Sequence, residues 1–209
     1  MDWRDMLIIL AALSLIFGNI IAIAQSNFKR MLAYSTISHI GFVLLGLLSG
    51  LDFGYAAALF YMTIYVLMAA GSFGVLLTLS SKNKEVDALV DLKGLSKSNP
   101  WFALILLVLM FSMAGVPLTV GFYAKLYILQ SLIYNGMLWL AILAIVMSVI
   151  GAFYYLRVVK YMYFDEIEEK LYVQYSMLAQ AVLSVNGLLI VGLFIFPNPL
   201  LNYCIQAFG

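Results

Sequence analysis

The sequence predicts an all-α polytopic membrane protein with six transmembrane helices, the fourth of them discontinuous. Three observations carry this expectation. Of the 209 residues, 65% are hydrophobic and 10% charged, and the mean hydropathy of +1.05 lies outside the range of soluble domains. The apolar residues fall into six runs, at 6–25, 31–50, 54–80, 100–134, 137–163 and 172–196, each near or above the roughly 20 residues that cross a bilayer. Basic residues alternate with the connections: Lys29 and Arg30, then Lys82, Lys84, Lys93 and Lys97, then Arg157, Lys160 and Lys170 share one side, against Arg4 on the other. The positive-inside rule puts that side in the cytoplasm or matrix and both termini outside.

The first run ends in Ala22-Ile23-Ala24, which looks like a signal-peptidase site, but the segment before it carries two acids against one arginine and the apolar run is long for a signal peptide. It is read as a retained span. Within the second run stands His39, the only histidine, ten residues past Lys29 and so about 15 Å deeper at ~1.5 Å per residue. Ser35 and Thr36 lie on the same helical face, one turn earlier. An imidazole exchanges protons near neutral pH, which makes this trio a candidate relay, although a histidine can equally be a hydrogen-bonded link between helices. Gly41, Gly46, Gly71, Gly74 and Ala69-Ala70 are read as close-packing surfaces.

Residues 80–99 form the one long polar stretch, with mixed charge, Gly94 and Pro100 at its end, and are expected to be a solvated cytoplasmic connection, with a short surface helix as the alternative form. The fourth run, 100–134, is too long for one straight span: 35 helical residues would run about 50 Å, against a hydrocarbon core of about 30 Å. Near its middle Gly115, Pro117 and Gly121 predict a break. Splitting the run into two full crossings would leave each too short and would move Arg157 and Lys160 to the positive-poor side.

Lys125 follows the break by one turn, and residues 98–124 and 126–156 carry no other charge. A lysine at mid-membrane costs roughly 2.5–3.5 kcal/mol on insertion scales, so such residues line hydrated pathways or meet buried partners. It is too far from either interface for its stem to reach out. Broken helices at that depth mark transport sites, because unwound backbone must be satisfied by protein or water. A buried lysine can also exchange protons once its charged form is disfavoured.

The fifth and sixth runs close the membrane domain, 1–209. Asp165, Glu166, Glu168 and Glu169 between them are read as a solvated loop. Ser14, Asn19, Gln180, Ser184 and Asn186 are polar positions in spans one and six, open between hydrogen-bonded packing and pathway lining. Cys204, the single cysteine, excludes an internal disulfide and CxxC chemistry and is expected on the same side as the N-terminus. No metal site, nucleotide loop or iron–sulfur cysteine set is present in the sequence, and the net charge of +1 points to no nucleic acid.

Asn27-Phe28-Lys29-Arg30-Met31-Leu32-Ala33-Tyr34-Ser35-Thr36-Ile37-Ser38-His39-Ile40-Gly41, with Ala114-Gly115-Val116-Pro117 and Gly121-Phe122-Tyr123-Ala124-Lys125, closely resembles the antiporter-like subunits of proton-pumping NADH:quinone oxidoreductase, respiratory complex I. A lysine on the broken helix is similar to subunits N and L and unlike M, and the short tail lacks the long lateral helix of L, so the N group is most similar. The resemblance implies a fourteen-helix fold with two inverted five-helix repeats, of which this chain carries the second repeat (1–163) and the final helix (172–196). It implies proton-relay roles for Lys125 and His39, with Ser35 and Thr36 as possible pathway residues. The remaining implications are the other membrane subunits of complex I as partners, protons as the transported ion, and a bacterial inner membrane, with a mitochondrial one as the alternative. NADH, FMN, iron–sulfur clusters and quinone are expected in other subunits, with no cofactor here. The first repeat, with its glutamate and two further lysines, is expected to be missing, so the chain alone is not expected to pump. Alternative readings are a subunit of a multisubunit cation/proton antiporter and a structural fragment without transport.

Overall fold

The computed structural model describes residues 3–50, 52–80, 86–166 and 176–208, which contain nine α-helices. They are α1 (Trp3–Ala24), α2 (Phe28–Leu48), α3 (Asp52–Leu79), α4 (Leu95–Ser98), α5 (Pro100–Ala114), α6 (Val120–Tyr134), α7 (Leu138–Tyr163), α8 (Met177–Ile195) and α9 (Asn198–Gln206). Five of them, α1, α2, α3, α7 and α8, are individually long and apolar enough to cross a membrane. The helices are hydrophobic on nearly every side, as expected where lipid replaces water around the bundle. Of these five, α2 and α3 are the most enclosed and form their centre, and α8 is the least.

Close backbone approach builds that centre. Gly46 faces Ala58, and any Cβ on it would lie 2.9 Å from the alanine methyl, which brings α2 onto α3. Gly71 likewise lets Asn186 of α8 reach α3, where its amide donates to Leu67 O at 3.1 Å. Ala70, expected to share this packing, is exposed; the small-residue pattern marks the right helix but Ala70 points outward from it.

Two faces of the bundle are latched by polar contacts. On one, the α1–α2 turn pairs with the connection after α3: Phe28 N donates to Asp87 O and Leu89 N to Ser26 O. Arg157, near the end of α7, donates to Ile23 O at 3.1 Å and Gln25 O at 2.8 Å, capping the carbonyls that α1 leaves free. Gly94 N, just before α4 and α5, donates to Tyr161 O. Val86, Leu89, Leu92 and Leu95 are buried in this connection, so the stretch expected to be merely solvated instead tucks its apolar residues beneath the bundle. Lys82, Lys84, Lys170, Glu168 and Glu169 lie outside the described residues, as does the beginning (172–175) of the expected sixth span.

On the opposite face Arg4 reaches Leu48 O, and the Asn135 amide donates to Ser49 O. The Tyr55 and Phe208 rings meet at 5.7 Å, bringing the C-terminal α9 to the same face as Arg4. The sequence reading had only a short tail here; Asn198-Pro199 starts a helix because proline's fixed φ suits the first turn. Cys204 is buried on it.

These latches fix the course of 100–134. The fifth helix starts beside the end of α7 on the basic face, and α6 ends beside Ser49 on the Arg4 face. Each has 15 residues, or about 22 Å at ~1.5 Å per residue, too short to cross alone. In full-length protein carrying Cys204→Ala, single cysteines replacing the exposed Val90 and Tyr134 are expected to react with a membrane-impermeant thiol reagent from opposite sides of the membrane. Reaction of both from one side would make α5 and α6 a re-entrant hairpin.

Candidate functional site

The break between α5 and α6 is built by backbone geometry. Gly115 ends α5 in the left-handed region (φ 79°), with its N–H donating to Phe111 O and Ser112 O, while Val116 N returns to Phe111 O. This cap satisfies two of the four carbonyls that a helix C-terminus leaves open. Pro117 cannot extend the helix, and Leu118 adopts φ 75°, uncommon for a side-chain-bearing residue. Gly121, expected at the break with Gly115 and Pro117, contributes to it by close packing. It lies inside α6, where its N–H donates to Ser112 Oγ at 3.1 Å, and a Cβ there would lie 1.8 Å from Ser112 O. Its missing side chain lets the two half-helices overlap.

Lys125 Nζ donates to the other two open carbonyls, Met113 O at 3.1 Å and Ala114 O at 2.9 Å, and to Ser148 Oγ of α7 at 2.8 Å. An ammonium has three donors and no acceptor, so all three are engaged. The negative end of the α5 dipole points at it as well. Gly115 is needed twice, for its φ and because a Cβ would sit 2.9 Å from Lys125 Cδ. Beside the ammonium a crevice of about 220 Å³ opens between α6 and α7, walled by Phe42, Phe122, Leu129 and Ile145, with Lys125 and Ser148 its polar groups.

A second polar centre surrounds His39, which is buried. Its Nδ1 is 2.8 Å from Tyr61 Oη and its Nε2 2.9 Å from Tyr155 Oη. The imidazole stacks on Tyr65 at 4.5 Å, and Tyr65 Oη donates to Thr36 Oγ1 at 2.6 Å. Ser35, one turn before His39 on α2, donates to Leu32 O. A phenol hydroxyl either donates or accepts, so either neutral tautomer and the imidazolium all find partners here without repacking.

The structure thus brings His39, Ser35 and Thr36 into one cluster and sets Lys125 in another. Asn19 is held in hydrogen-bonded packing: its amide donates to Leu15 O and Ser38 Oγ and accepts from Tyr154 Oη. Ser184 accepts from Trp101 Nε1 and donates to Gln180 O. Sequence reading missed Tyr61, Tyr65, Tyr155 and Ser148. The i,i+4 spacing of Tyr61 and Tyr65 was a usable signal, and Ser148 is the only hydroxyl between Tyr134 and Tyr154.

Three alanine substitutions separate strain from crowding. Gly136 also has positive φ (72°) but open space around it, so Gly136→Ala incurs only the left-handed penalty, about 1–2 kcal/mol. Gly115→Ala adds the collision with Lys125, and Gly121→Ala drives a Cβ into the Ser112 carbonyl. Thermal unfolding in detergent should rank the losses Gly121→Ala, Gly115→Ala, Gly136→Ala; a Gly115→Ala loss no larger than that of Gly136→Ala would contradict the packing of Lys125 against the cap.

Comparison with known proteins places this geometry. Residues 1–151 match the family described as NADH:quinone oxidoreductase/Mrp antiporter, TM. The chain is 54% identical over 208 residues to NADH-quinone oxidoreductase subunit N of Thiobacillus denitrificans, covering 100% of this chain and 43% of that protein. With subunit N of Thioalkalivibrio sulfidiphilus it shares 56% over 206 residues, 99% of this chain and 43% of the relative. It therefore spans less than half the length of these relatives. A chain of respiratory complex I from Thermus thermophilus with bound Aureothin superposes with TM-score 0.84 at 32% identity, over 95% of this chain and 45% of that one. A chain of the Mrp complex from Dietzia sp. has the same fold, with TM-score 0.88 at 18% identity over 99% and 47%. An all-α membrane bundle with this break and these matches belongs to the NADH:quinone oxidoreductase/Mrp antiporter transmembrane family.

Proposed function

We propose that this chain forms the part of a complex I subunit N that supplies one proton half-channel, with Lys125 as the proton-carrying group and His39 as relay. The observation that carries this reading is the ammonium of Lys125 seated on the open end of a broken helix, with a hydroxyl as its third partner. Neutral lysine has two N–H donors and a lone pair. With Met113 O and Ala114 O still accepting, Ser148 reverses and donates to that lone pair, so both charge states are satisfied in one geometry. The site changes charge without unfolding the break.

The same reading makes α5 and α6 the two halves of one discontinuous crossing, the fourth of six, and α1 to α7 one five-helix antiporter-like repeat followed by α8. Lys29, Arg30, Lys93, Lys97, Arg157 and Lys160 gather on the face of the α1–α2 turn, which is then cytoplasmic, with both termini periplasmic in a bacterial inner membrane. The partners are the other membrane subunits of the complex, lipid, and the protons it moves. NADH, FMN, iron–sulfur clusters and quinone belong to other subunits. The subunit N relatives favour this reading over an Mrp-type antiporter subunit.

In the assembled complex carrying a full-length subunit, Lys125→Ala should abolish most proton pumping and slow the quinone reduction coupled to it, while NADH oxidation by an artificial acceptor stays near wild type. His39→Ala should act in the same direction but less, because Tyr61, Tyr155 and water still bridge the gap. Unchanged pumping in assembled Lys125→Ala would refute the carrier role.

A further inference from the structure

Between the two polar centres stands a phenyl ring. Phe42 lies three residues past His39 on α2 and is almost fully buried. Its ring stacks on Tyr61 at 5.5 Å and 15°, and Tyr61 is the residue whose hydroxyl meets His39 Nδ1. The ammonium of Lys125 lies 5.3 Å from the centroid of the same ring. Phe42 also walls the crevice beside Lys125. Among the described residues no hydrogen bond joins the Lys125 group to the His39 group: the partners of one are Met113, Ala114 and Ser148, and those of the other Tyr61 and Tyr155.

A phenyl ring has neither an exchangeable proton nor a lone pair, so no proton passes through it. We propose that Phe42 is the barrier to proton transfer between Lys125 and the His39–tyrosine cluster, excluding water in this conformation and opening when the ring swings toward the crevice. The crevice, about 220 Å³, has room for that swing and for the water that would then connect the centres. The charge on Lys125 sets the grip. A cation is drawn to the ring face and a neutral amine is not, so charged Lys125 holds the barrier shut and loss of its proton frees it. This inference rests on the carrier reading of Lys125 and adds to it the residue that times the transfer.

The test is passive leak. Assembled complex with a full-length subunit is reconstituted into liposomes without NADH, a pH gradient is imposed, and its decay is followed with an entrapped dye. Phe42→Ala should collapse the gradient several-fold faster than wild type, and Phe42→Leu, which keeps bulk, should hold it. If Phe42→Ala does not assemble, Phe42→Val removes the ring with a smaller void and carries the same comparison. Adding Lys125→Met to Phe42→Ala should stop the leak. A leak that survives that addition leaves the barrier standing and refutes Lys125 as carrier. An assembled Phe42→Ala complex, or Phe42→Val in its place, as tight as wild type overturns the barrier.

Discussion

Two groups that are each costly in a membrane interior meet at the break. A helix that ends in hydrocarbon exposes carbonyls with no water to accept from, and an ammonium there has donors with no water to give to. Met113 O, Ala114 O and Lys125 Nζ satisfy one another, and Ser148 completes the set. Most of the surrounding structure follows from keeping that contact. Gly115 must be glycine to turn the chain and leave room, Gly121 must be glycine to let α6 slide against Ser112, and α7 must present a hydroxyl at position 148.

The His39 centre meets the same constraint with a different device. Two of the three acceptors of Lys125 are carbonyls of fixed direction, whereas both partners of the His39 nitrogens are hydroxyls that rotate. A group between two rotatable hydroxyls can gain or lose a proton with little change in its surroundings. The stack on Tyr65, whose own hydroxyl is fixed by Thr36, holds the ring in place. Two centres built this way would exchange protons freely were they joined, so what separates them matters as much as what each contains.

The strongest sequence signals were those in which one residue defies its surroundings. Lys125 in an uncharged stretch and a span too long to be straight were visible without coordinates, and both recur in the break between Ala114 and Val120. Of the basic residues that sort the connections, those described, Lys29, Arg30, Lys93, Lys97, Arg157 and Lys160, recur on one latched face. What the sequence hid were residues whose role depends on meeting across helices. Tyr61, Tyr65 and Tyr155 are unremarked among fourteen tyrosines, and periodicity within α3 or α7 cannot say that they converge on one imidazole. Leu118 gave no signal, because nothing in a leucine announces positive φ. The last helix was missed because α9 is too short to cross and too polar to register as a span.

The central claim is that the charge on Lys125 is taken up and given back, not simply held by the helix end. Arginine separates these, since a guanidinium satisfies the same carbonyls and keeps its charge but does not release a proton in the accessible pH range. The decisive measurement is the number of protons pumped per electron in fully assembled complex carrying Lys125→Arg in a full-length subunit. The account predicts a marked fall in that ratio with NADH oxidation by an artificial acceptor unchanged. A wild-type ratio would contradict it and leave Lys125 as a fixed charge that closes the end of a helix.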